Sequence, residues 1–431
     1  MHTRIFSLIA LTLFTAAAQA QNQQVLGALN GFSSNDSQRE VNRAIAILCP
    51  AAGRLAAQLQ QDCNALVGSA FRGNEAVRGA ISQLTPDNAP LSANRALGAP
   101  GLGTRQAMPS GLSFFSKGEA RSGGFATDWA WASESPESAI WSVFGTFDAR
   151  SSEREASANM DGFDSDSSGF LIGAERTLTE SSRVGIAFRY RSAELDFSAG
   201  SGSQDMRDLG ADLFYSVSGA SPWYFNSLLS VGRRNTDQAR LTNYTLDATT
   251  VVAQAYRADF DTSLSGANAT LGYAFNSAAL MFDPYVAFEY QRQSVDGYNE
   301  SASNPNASGG GWAIRADSQS NSSTKATLGA RLSYAISGAS AVFVPFIDLA
   351  LVNVLSQDDE ATRLSFLGDI SAVREIFLAS NDAEDDRYGM ASLGLSAQFS
   401  EGVSGFLRYS RHFSEDRFDQ SGFYLGFRWD L

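Results

Sequence analysis

The residues at the end of the chain, 423–431, place an apolar side chain at every second position. Phe423, Leu425, Phe427, Trp429 and Leu431 therefore share one face of a predicted β-strand, because successive side chains of a strand point to opposite faces. A face built from side chains this large needs an apolar surrounding. Lipid is the first candidate for that surrounding.

The same alternation begins near Ser138 and continues through the rest of the chain. Clear examples are Val184 to Tyr190, Leu209 to Val217 and Leu328 to Ile336, each with apolar side chains on one face. We count about twelve such strands, and an even number is typical of bacterial membrane barrels.

The opposite faces of these strands carry charged side chains. The predicted lumen charges are Arg189, Arg191, Asp212, Glu289, Lys325, Arg331, Arg408 and Arg428. In a soluble β-sandwich these charged faces would meet solvent, whereas in a membrane barrel they would line a polar lumen. The alternation alone is compatible with both folds. In a narrow lumen, such charges more often form a structural ion-pair lattice than a selectivity filter.

The connections between strands favour the barrel, because tight turns alternate with longer polar segments. The tight turns are Thr179 to Ser182, Ser218 to Pro222, Asn276 to Ala279, Ser337 to Ser340 and Ser400 to Gly402. The longer segments are Ser151 to Asp166, Ser198 to Gln204, Asn235 to Asp261, Ser294 to Asn321, Gln357 to Asp386 and Ser414 to Gln420. We predict an all-β, outer-membrane, antiparallel up-and-down barrel over residues 138–431.

A membrane barrel must also close, since every backbone polar group in hydrocarbon needs an internal partner. We therefore expect the strand at Ile140 to Phe147 to pair with Phe423 to Leu431. Four aromatic residues near strand ends, Trp141, Trp223, Tyr285 and Trp429, are predicted to form an aromatic girdle.

The amino-terminal part of the chain has a different organisation. Residues 1–20 combine a charged start, a short apolar stretch and an Ala-x-Ala end, which predicts a secretory signal peptide. Residues 21–90 show apolar side chains at helical spacing, among them Ile45 and Leu59, and Asn35 or Asp36 could cap the first helix. Residues 91–137, rich in Gly, Ala, Ser and Pro, are predicted to be a linker or pore segment. Cys49 and Cys63 are predicted to form a stabilising disulfide in an oxidising compartment.

Composition argues against several functions. The net charge of −14 disfavours nucleic acid as a partner, since phosphate binding draws on clustered Lys and Arg. His412 is the one histidine beyond the predicted signal peptide, so we expect no histidine-based metal site and no cofactor. His412 lies near Ser410, Ser414 and Glu415, but nothing else completes a catalytic site, and a solvated histidine at the barrel rim is the favoured interpretation. We therefore predict no catalytic residue.

Two further segments were weighed as binding sites. Asp358, Asp359 and Glu360, with the run from Asp382 to Asp386, are interpreted as a solvated acidic loop rather than a calcium site, because EF-hand spacing is missing. Ser308 to Gly311 lies inside a long loop, and no Lys-Ser or Lys-Thr pair follows it. It is not interpreted as a phosphate-binding loop.

Several segments, in this order, resemble the translocator barrel of the autotransporters, the type V secretion family. They are Ile140 to Gly145, Gly169 to Arg176, Val184 to Tyr190, Pro222 to Phe225, Pro284 to Phe288 and Phe423 to Leu431. The resemblance covers about Ser138 to Leu431 and implies twelve strands around a pore crossed by a passenger-linked segment.

The same resemblance implies that the insertion machinery reads the last strand through Phe423, Leu425, Phe427, Trp429 and Leu431. Family barrels usually end on an aromatic residue, whereas this chain ends on Leu431. Adjacent asparagines, at which some members cleave their passenger, do not occur between Arg95 and Ile140.

These observations predict a protein of the bacterial outer membrane that anchors, and by resemblance translocates, its own short amino-terminal segment. The alternative is a porin-like channel or a surface-loop adhesin without a released passenger. The expected partners are outer-membrane lipid, lipopolysaccharide and the barrel-insertion machinery, and the barrel is expected to be monomeric.

Overall fold

The computed structural model describes a β-barrel with a helical region folded onto one of its ends. The described residues are 19–51, 53–86, 140–157, 160–179, 181–218, 221–359, 361–379, 386–399 and 402–431. The predicted linker, 91–137, and nearly all of the predicted signal peptide, 1–20, lie outside the described residues. Within these ranges, no helix is long and apolar enough to cross a membrane.

Twelve antiparallel strands form the barrel. They are β1 Trp141–Arg154, β2 Phe163–Thr179, β3 Ser182–Phe197, β4 Gly202–Val217, β5 Trp223–Asp247, β6 Thr250–Tyr273, β7 Leu280–Val295, β8 Gln319–Tyr334, β9 Ala341–Asp359, β10 Arg387–Phe399, β11 Val403–Phe413 and β12 Phe418–Asp430. Each strand pairs with the next, and β1 closes the ring by pairing with β12, from Ser142 opposite Asp430 to Arg154 opposite Phe418. The predicted closure of the barrel is confirmed.

The barrel has two different rims. Of the described residues, the turn rim carries 181, 218, 221–222, 274–279, 335–340 and 402, together with Ile140 and Leu431. The loop rim carries 155–157, 160–162, 198–201, 248–249, 296–318, 361–379, 386 and 414–417. The predicted loop from Asn235 to Asp261 is wrong, because β5 and β6 continue through it as a hairpin that turns at 248–249. The segment predicted as a loop from Ser198 is also short, since β4 already begins at Gly202.

The outer face of the barrel is apolar over the middle of each strand. On β3 it presents Ile186 and Phe188, and on β4 Leu209 and Leu213, all at least 48% exposed in the isolated protein. Trp141, Trp223 and Trp429 lie on this face at the turn rim, as predicted for a girdle. Tyr285 does not, because its side chain points into the lumen, where its hydroxyl donates a hydrogen bond to Asp348 at 2.9 Å.

The amino-terminal region forms four helices: α1 over residues 19–30, α2 Asp36–Leu48, α3 Ala57–Phe71 and α4 Ala76–Leu84. Asn35 caps α2, since its side-chain oxygen accepts the N–H of Gln38 at 2.8 Å. Cys49, at the end of α2, is joined by a disulfide to Cys63 in α3. The bond links two consecutive helices across the break at Pro50.

The helices share one hydrophobic core with the loop rim. The core joins Leu29, Ile45, Leu59, Leu66 and Ile81 of the helices to Tyr244, Val252, Tyr256, Trp312, Phe366 and Phe377 of the rim. A small sheet made of Tyr298–Asn299, Ile314–Ala316, Thr362–Phe366 and Phe377–Ala379 completes the framework. We call the four helices the helical module. We call the module, the small sheet with its loops and the β5–β6 hairpin together the rim domain.

Candidate functional site

The lumen is lined by charged side chains that the sequence places on the inner face of each strand. Arg189 on β3 binds both oxygens of Asp212 on β4, with Nη1–O distances of 2.6 and 2.8 Å. Arg234 on β5 contacts both oxygens of Asp208 on β4, at 2.7 and 3.2 Å. These four side chains are almost fully buried. Two buried ion pairs, of which the Arg234–Asp208 pair is bidentate, therefore connect three neighbouring strands.

A second group of lumen charges lies across β7 to β11. Arg331 on β8 donates to Asp348 on β9 through Nε and Nη2, at 3.2 and 2.8 Å. Arg408 on β11 donates to the Ser392 hydroxyl on β10 at 2.7 Å. Lys325 on β8 lies opposite Glu289 on β7 in the strand register, and its Nζ is 5.6 Å from the centre of the Tyr388 ring.

The remaining predicted lumen charges bridge the closing strands. Arg428 on β12 pairs with Asp430 at 2.8 Å and with Glu175 on β2 at 2.7 Å, and also donates to the Ser142 hydroxyl on β1 at 2.9 Å. Arg191 on β3 pairs with Asp148 on β1 at 3.4 Å.

All eight predicted charges thus lie on the lumen side, but several other lumen charges were not among the residues predicted from the sequence. The missed residues are Asp148, Arg150, Glu175, Arg234 and Asp348. The sequence does indicate their orientation, because each of these residues is out of phase with the apolar positions of its own strand.

The terminal strand β12 presents its predicted apolar set to the outside. Phe423, Leu425, Phe427, Trp429 and Leu431 are between 51 and 57% exposed in the isolated protein. The strand that closes the barrel therefore carries an apolar ridge on its outer face. Contact between this ridge and the insertion machinery stays a prediction.

The His412 side chain on β11 contacts one carboxylate and one aromatic ring. Its Nδ1 is 3.4 Å from a carboxylate oxygen of Glu415, and its ring stacks on Tyr388 with centroids 5.0 Å apart. Of the carboxylates predicted for the acidic loop, those at 360, 382, 384 and 385 lie outside the described residues. Among those that are described, no group of three or more metal-ligating side chains could hold an ion.

The glycine run of the loop 296–318 binds a carboxylate, and this carboxylate is a side chain of the same protein. The Asp62 carboxylate on α3 accepts the N–H groups of Gly309 at 2.8 Å and of Gly311 at 2.9 Å. Burial raises the pKa of the Asp62 carboxyl, and these two hydrogen bonds with a third from Gln58 oppose the rise. This contact joins residues 247 positions apart and leaves no local signal in the sequence.

Leu59 lies one turn before Asp62 and fits between two loop glycines. A Cβ atom on Gly311 would lie 2.4 Å from the Leu59 Cα, and one on Gly368 would lie 2.7 Å from the Leu59 Cβ. No side chain can be added at either position without moving α3. The two glycines therefore set how closely the helix approaches the loops.

Backbone pairing and an ion pair extend this contact. The Ala56 N–H donates to the Gly368 carbonyl at 2.8 Å, and the Ile370 N–H donates to the Arg54 carbonyl at 2.9 Å. Arg43 on α2 contacts Glu375 at 2.5 Å and the Ile376 carbonyl at 2.6 Å.

A buried ion pair connects the hairpin, the loop 296–318 and α4. Arg240 on β5 binds both oxygens of Glu300, at 2.9 and 2.6 Å, and donates to the carbonyls of Trp312 and Gln83 at 3.1 and 3.4 Å. Glu300 also accepts the Ile314 N–H at 3.0 Å. One charge pair therefore ties three parts of the rim domain together.

Comparisons with known proteins match this architecture. A family model described as the autotransporter beta-domain matches residues 143–410. No curated protein sequence matches the chain. The barrel is similar to the solved translocator domain of the autotransporter NalP from Neisseria meningitidis, with a TM-score of 0.51 and 13% identity over 69% of this chain and 90% of that one.

Two other solved structures are less similar. The beta domain of the Bordetella autotransporter BrkA gives a TM-score of 0.48 with 17% identity, over 68% of this chain and all of that one. The transport unit of the autotransporter AIDA-I from Escherichia coli gives 0.41 with 11% identity, over 67% and 90%.

Proposed function

The chain belongs to the autotransporter beta-domain family, and from this we propose that it carries its own helical module to the cell surface and keeps it there. The barrel is an outer-membrane barrel of the translocator type. What we add is the fate of the short segment ahead of it. The single observation that carries this proposal is that the helical module packs on the loop rim.

The location of the loop rim follows from the rules for outer-membrane barrels. Short turns face the periplasm and longer loops face the outside. The helical module shares its core with Trp312 and Phe366 of the longer loops, whereas Ile140 and Leu431 lie at the turn rim. The module is therefore proposed to be extracellular.

The proposed location also implies a route for the chain between the two parts. Pro86 follows α4 on the loop-rim side, and Ile140 precedes β1 at the turn rim. We propose that the segment 91–137 connects the rims through the lumen. The ion pairs of the lumen, such as Arg189 with Asp212, are proposed to hold the barrel wall rather than to select ions.

A porin-like channel or a loop adhesin is not favoured by the comparisons. Translocator barrels of this family are not enzymes, and we propose no catalytic role for His412. Outer-membrane lipid and the barrel-insertion machinery are the partners that we propose for a barrel of this kind. We further propose that lipopolysaccharide surrounds the loop rim, that nucleic acid is not a partner and that the barrel is monomeric.

Surface display is tested by placing an epitope tag between α3 and α4, at the exposed Gly73. A matched control carries the same tag in the turn 218–222 at the opposite rim. On intact cells, antibody should bind the Gly73 tag and should bind the control only after the outer membrane is permeabilised. If the Gly73 tag also requires permeabilisation, the module is not displayed.

A further inference from the structure

We propose that the loop rim is a receptor for the helical module, and that it holds the module on the cell surface without help from the peptide chain between them. This inference rests on the proposed surface location of the module. It assigns to the loops a binding function that translocation alone does not require.

The first support is the apolar surface that each part leaves uncovered without the other. Trp312, Phe366 and Phe377 belong to loops, yet each is at most 1% exposed. They belong to one core with Leu59 and Leu66 of α3, which are fully buried. Connecting loops normally run over the surface of a protein, so a cluster of buried large aromatic side chains in loops indicates that another part of the chain covers them. The loops have the composition of a binding surface whose partner is the module.

The second support is the fit at the start of α3. Leu59 occupies the space that Gly311 and Gly368 leave open, and Asp62 fills the anion-binding position between the N–H groups of Gly309 and Gly311. Gly309 has a φ of 86°, a conformation that glycine adopts readily, so the loop presents these N–H groups at little cost. A shape contact and a charge contact thus meet within one helical turn.

The third support is that contacts come from three places on the module. Residues 54–56 pair with the backbone at 368–370, Arg43 binds at 375–376, and the Gln83 side chain binds the backbone N–H and carbonyl of Asn243 at 2.5 and 3.0 Å. Contacts spread this widely fix the module in one orientation. A tethered segment with no affinity for the loops would need none of them.

The experiment uses the full chain with a recognition sequence for a site-specific protease inserted at Asn88, beyond the end of α4. Intact cells that display an epitope at Gly73 are treated with the protease and washed, and the epitope left on the cells is measured. With the wild-type loops, most of the epitope should remain after the chain is cut.

Two glycine-to-alanine variants distinguish a loss of module docking from a loss of folding. Gly311→Ala places a Cβ against Leu59, whereas Gly79→Ala adds one on α4 where no atom lies within 4 Å. After cutting, Gly79→Ala should retain the epitope like wild type, and Gly311→Ala should lose about tenfold more of it, as a docking loss near 1.4 kcal/mol would give. Heat-modifiable migration on a gel verifies that both barrels are folded.

Should Gly311→Ala reduce barrel folding, Asp62→Asn provides the second test, because it keeps the side-chain size and removes the charge from the glycine N–H groups. Release of the wild-type module on cutting would overturn the receptor proposal while leaving surface display intact. An epitope that is inaccessible before cutting would instead contradict surface display. Equal retention by wild type, Gly311→Ala and Asp62→Asn would also overturn the proposal.

Discussion

The buried ion pair between Arg240 and Glu300 gives the sharpest stability prediction. Both side chains are less than 10% exposed, and the guanidinium also lies 4.2 Å from the centre of the Tyr256 ring. Arg240→Met preserves much of the volume but leaves the Glu300 carboxylate buried, with the Ile314 N–H as its remaining partner in the described contacts. Breaking a buried pair in this way costs about 3–5 kcal/mol.

This loss should appear as easier opening of the rim domain rather than as loss of the barrel. The corresponding increase in the opening equilibrium is roughly 150- to 4,000-fold, at about 1.4 kcal/mol per factor of ten. Native-state proteolysis of the loop 296–318 in purified protein measures that equilibrium when reclosing is fast. Barrel integrity is followed on the same samples by heat-modifiable migration.

The double variant Arg240→Met/Glu300→Gln identifies the cause. Replacing both members of a buried pair is often near neutral, so the double variant should recover most of the loss of the single one. Two results would refute the reasoning: a cost below about 1 kcal/mol for Arg240→Met, or a double variant as unstable as the sum of the single ones.

Three further outcomes are expected. Replacing both Cys49 and Cys63 by serine should lower the free energy of unfolding of the helical module by about 3 kcal/mol, because the unfolded chain regains the conformational freedom that a crosslinked loop of this length lacks. Proteolysis of α3 measures this loss. Burial alone would raise the pKa of Asp369, but hydrogen bonds from Ser371 and the Glu375 N–H lower it, so its contribution is present above pH 3.8 and is lost as pH falls through the lowered pKa. Hydrogen-exchange protection at 366–376, corrected for the intrinsic pH dependence of exchange, should fall in that range, and the fall should be absent in Asp369→Asn. Leu425→Arg, which places a charge on the outer face of β12, should lower the fraction of folded barrel in outer membranes, and an unchanged fraction would show that this face does not meet lipid.

The barrel was predictable because its pattern is local. Lipid outside and charge inside impose a period of two on every strand, and residues such as Phe188 and Arg189 show their face from neighbouring positions alone. Tyr285 was misplaced because an aromatic residue near a strand end fits a girdle on type alone. Its position, out of phase with Val286 and Phe288, indicates the lumen.

The hairpin of β5 and β6 was missed for a physical reason. Above the apolar outer band, the outer face carries polar residues such as Asp237 and Asp259, while the inner face carries Tyr244 and Tyr256 against the helical module. The two faces exchange character where lipid gives way to water. A search for apolar outer faces therefore ends the strands too early.

The contacts of the rim domain could not be predicted from local patterns at all. Asp62 meets Gly309 and Gly311, and Arg43 meets Glu375, across most of the chain. Helical spacing indicated which side chains of the module would be buried, such as Ile45 and Leu59. It carried no information on the surface that would bury them.

The helical module and the loops share one hydrophobic core, although the module is synthesised early and the loops late. Burial of the helices therefore depends on a part of the chain that does not yet exist when they are made. The ribosome completes α3 long before it reaches Trp312 and Phe366, which cover that helix in the finished protein. Until those loops have been made and have folded against the helices, the apolar faces of the helices have no native partner, and such surfaces are prone to aggregate. The module should consequently depend on periplasmic chaperones for longer than any other part of the molecule, although it is synthesised before the barrel.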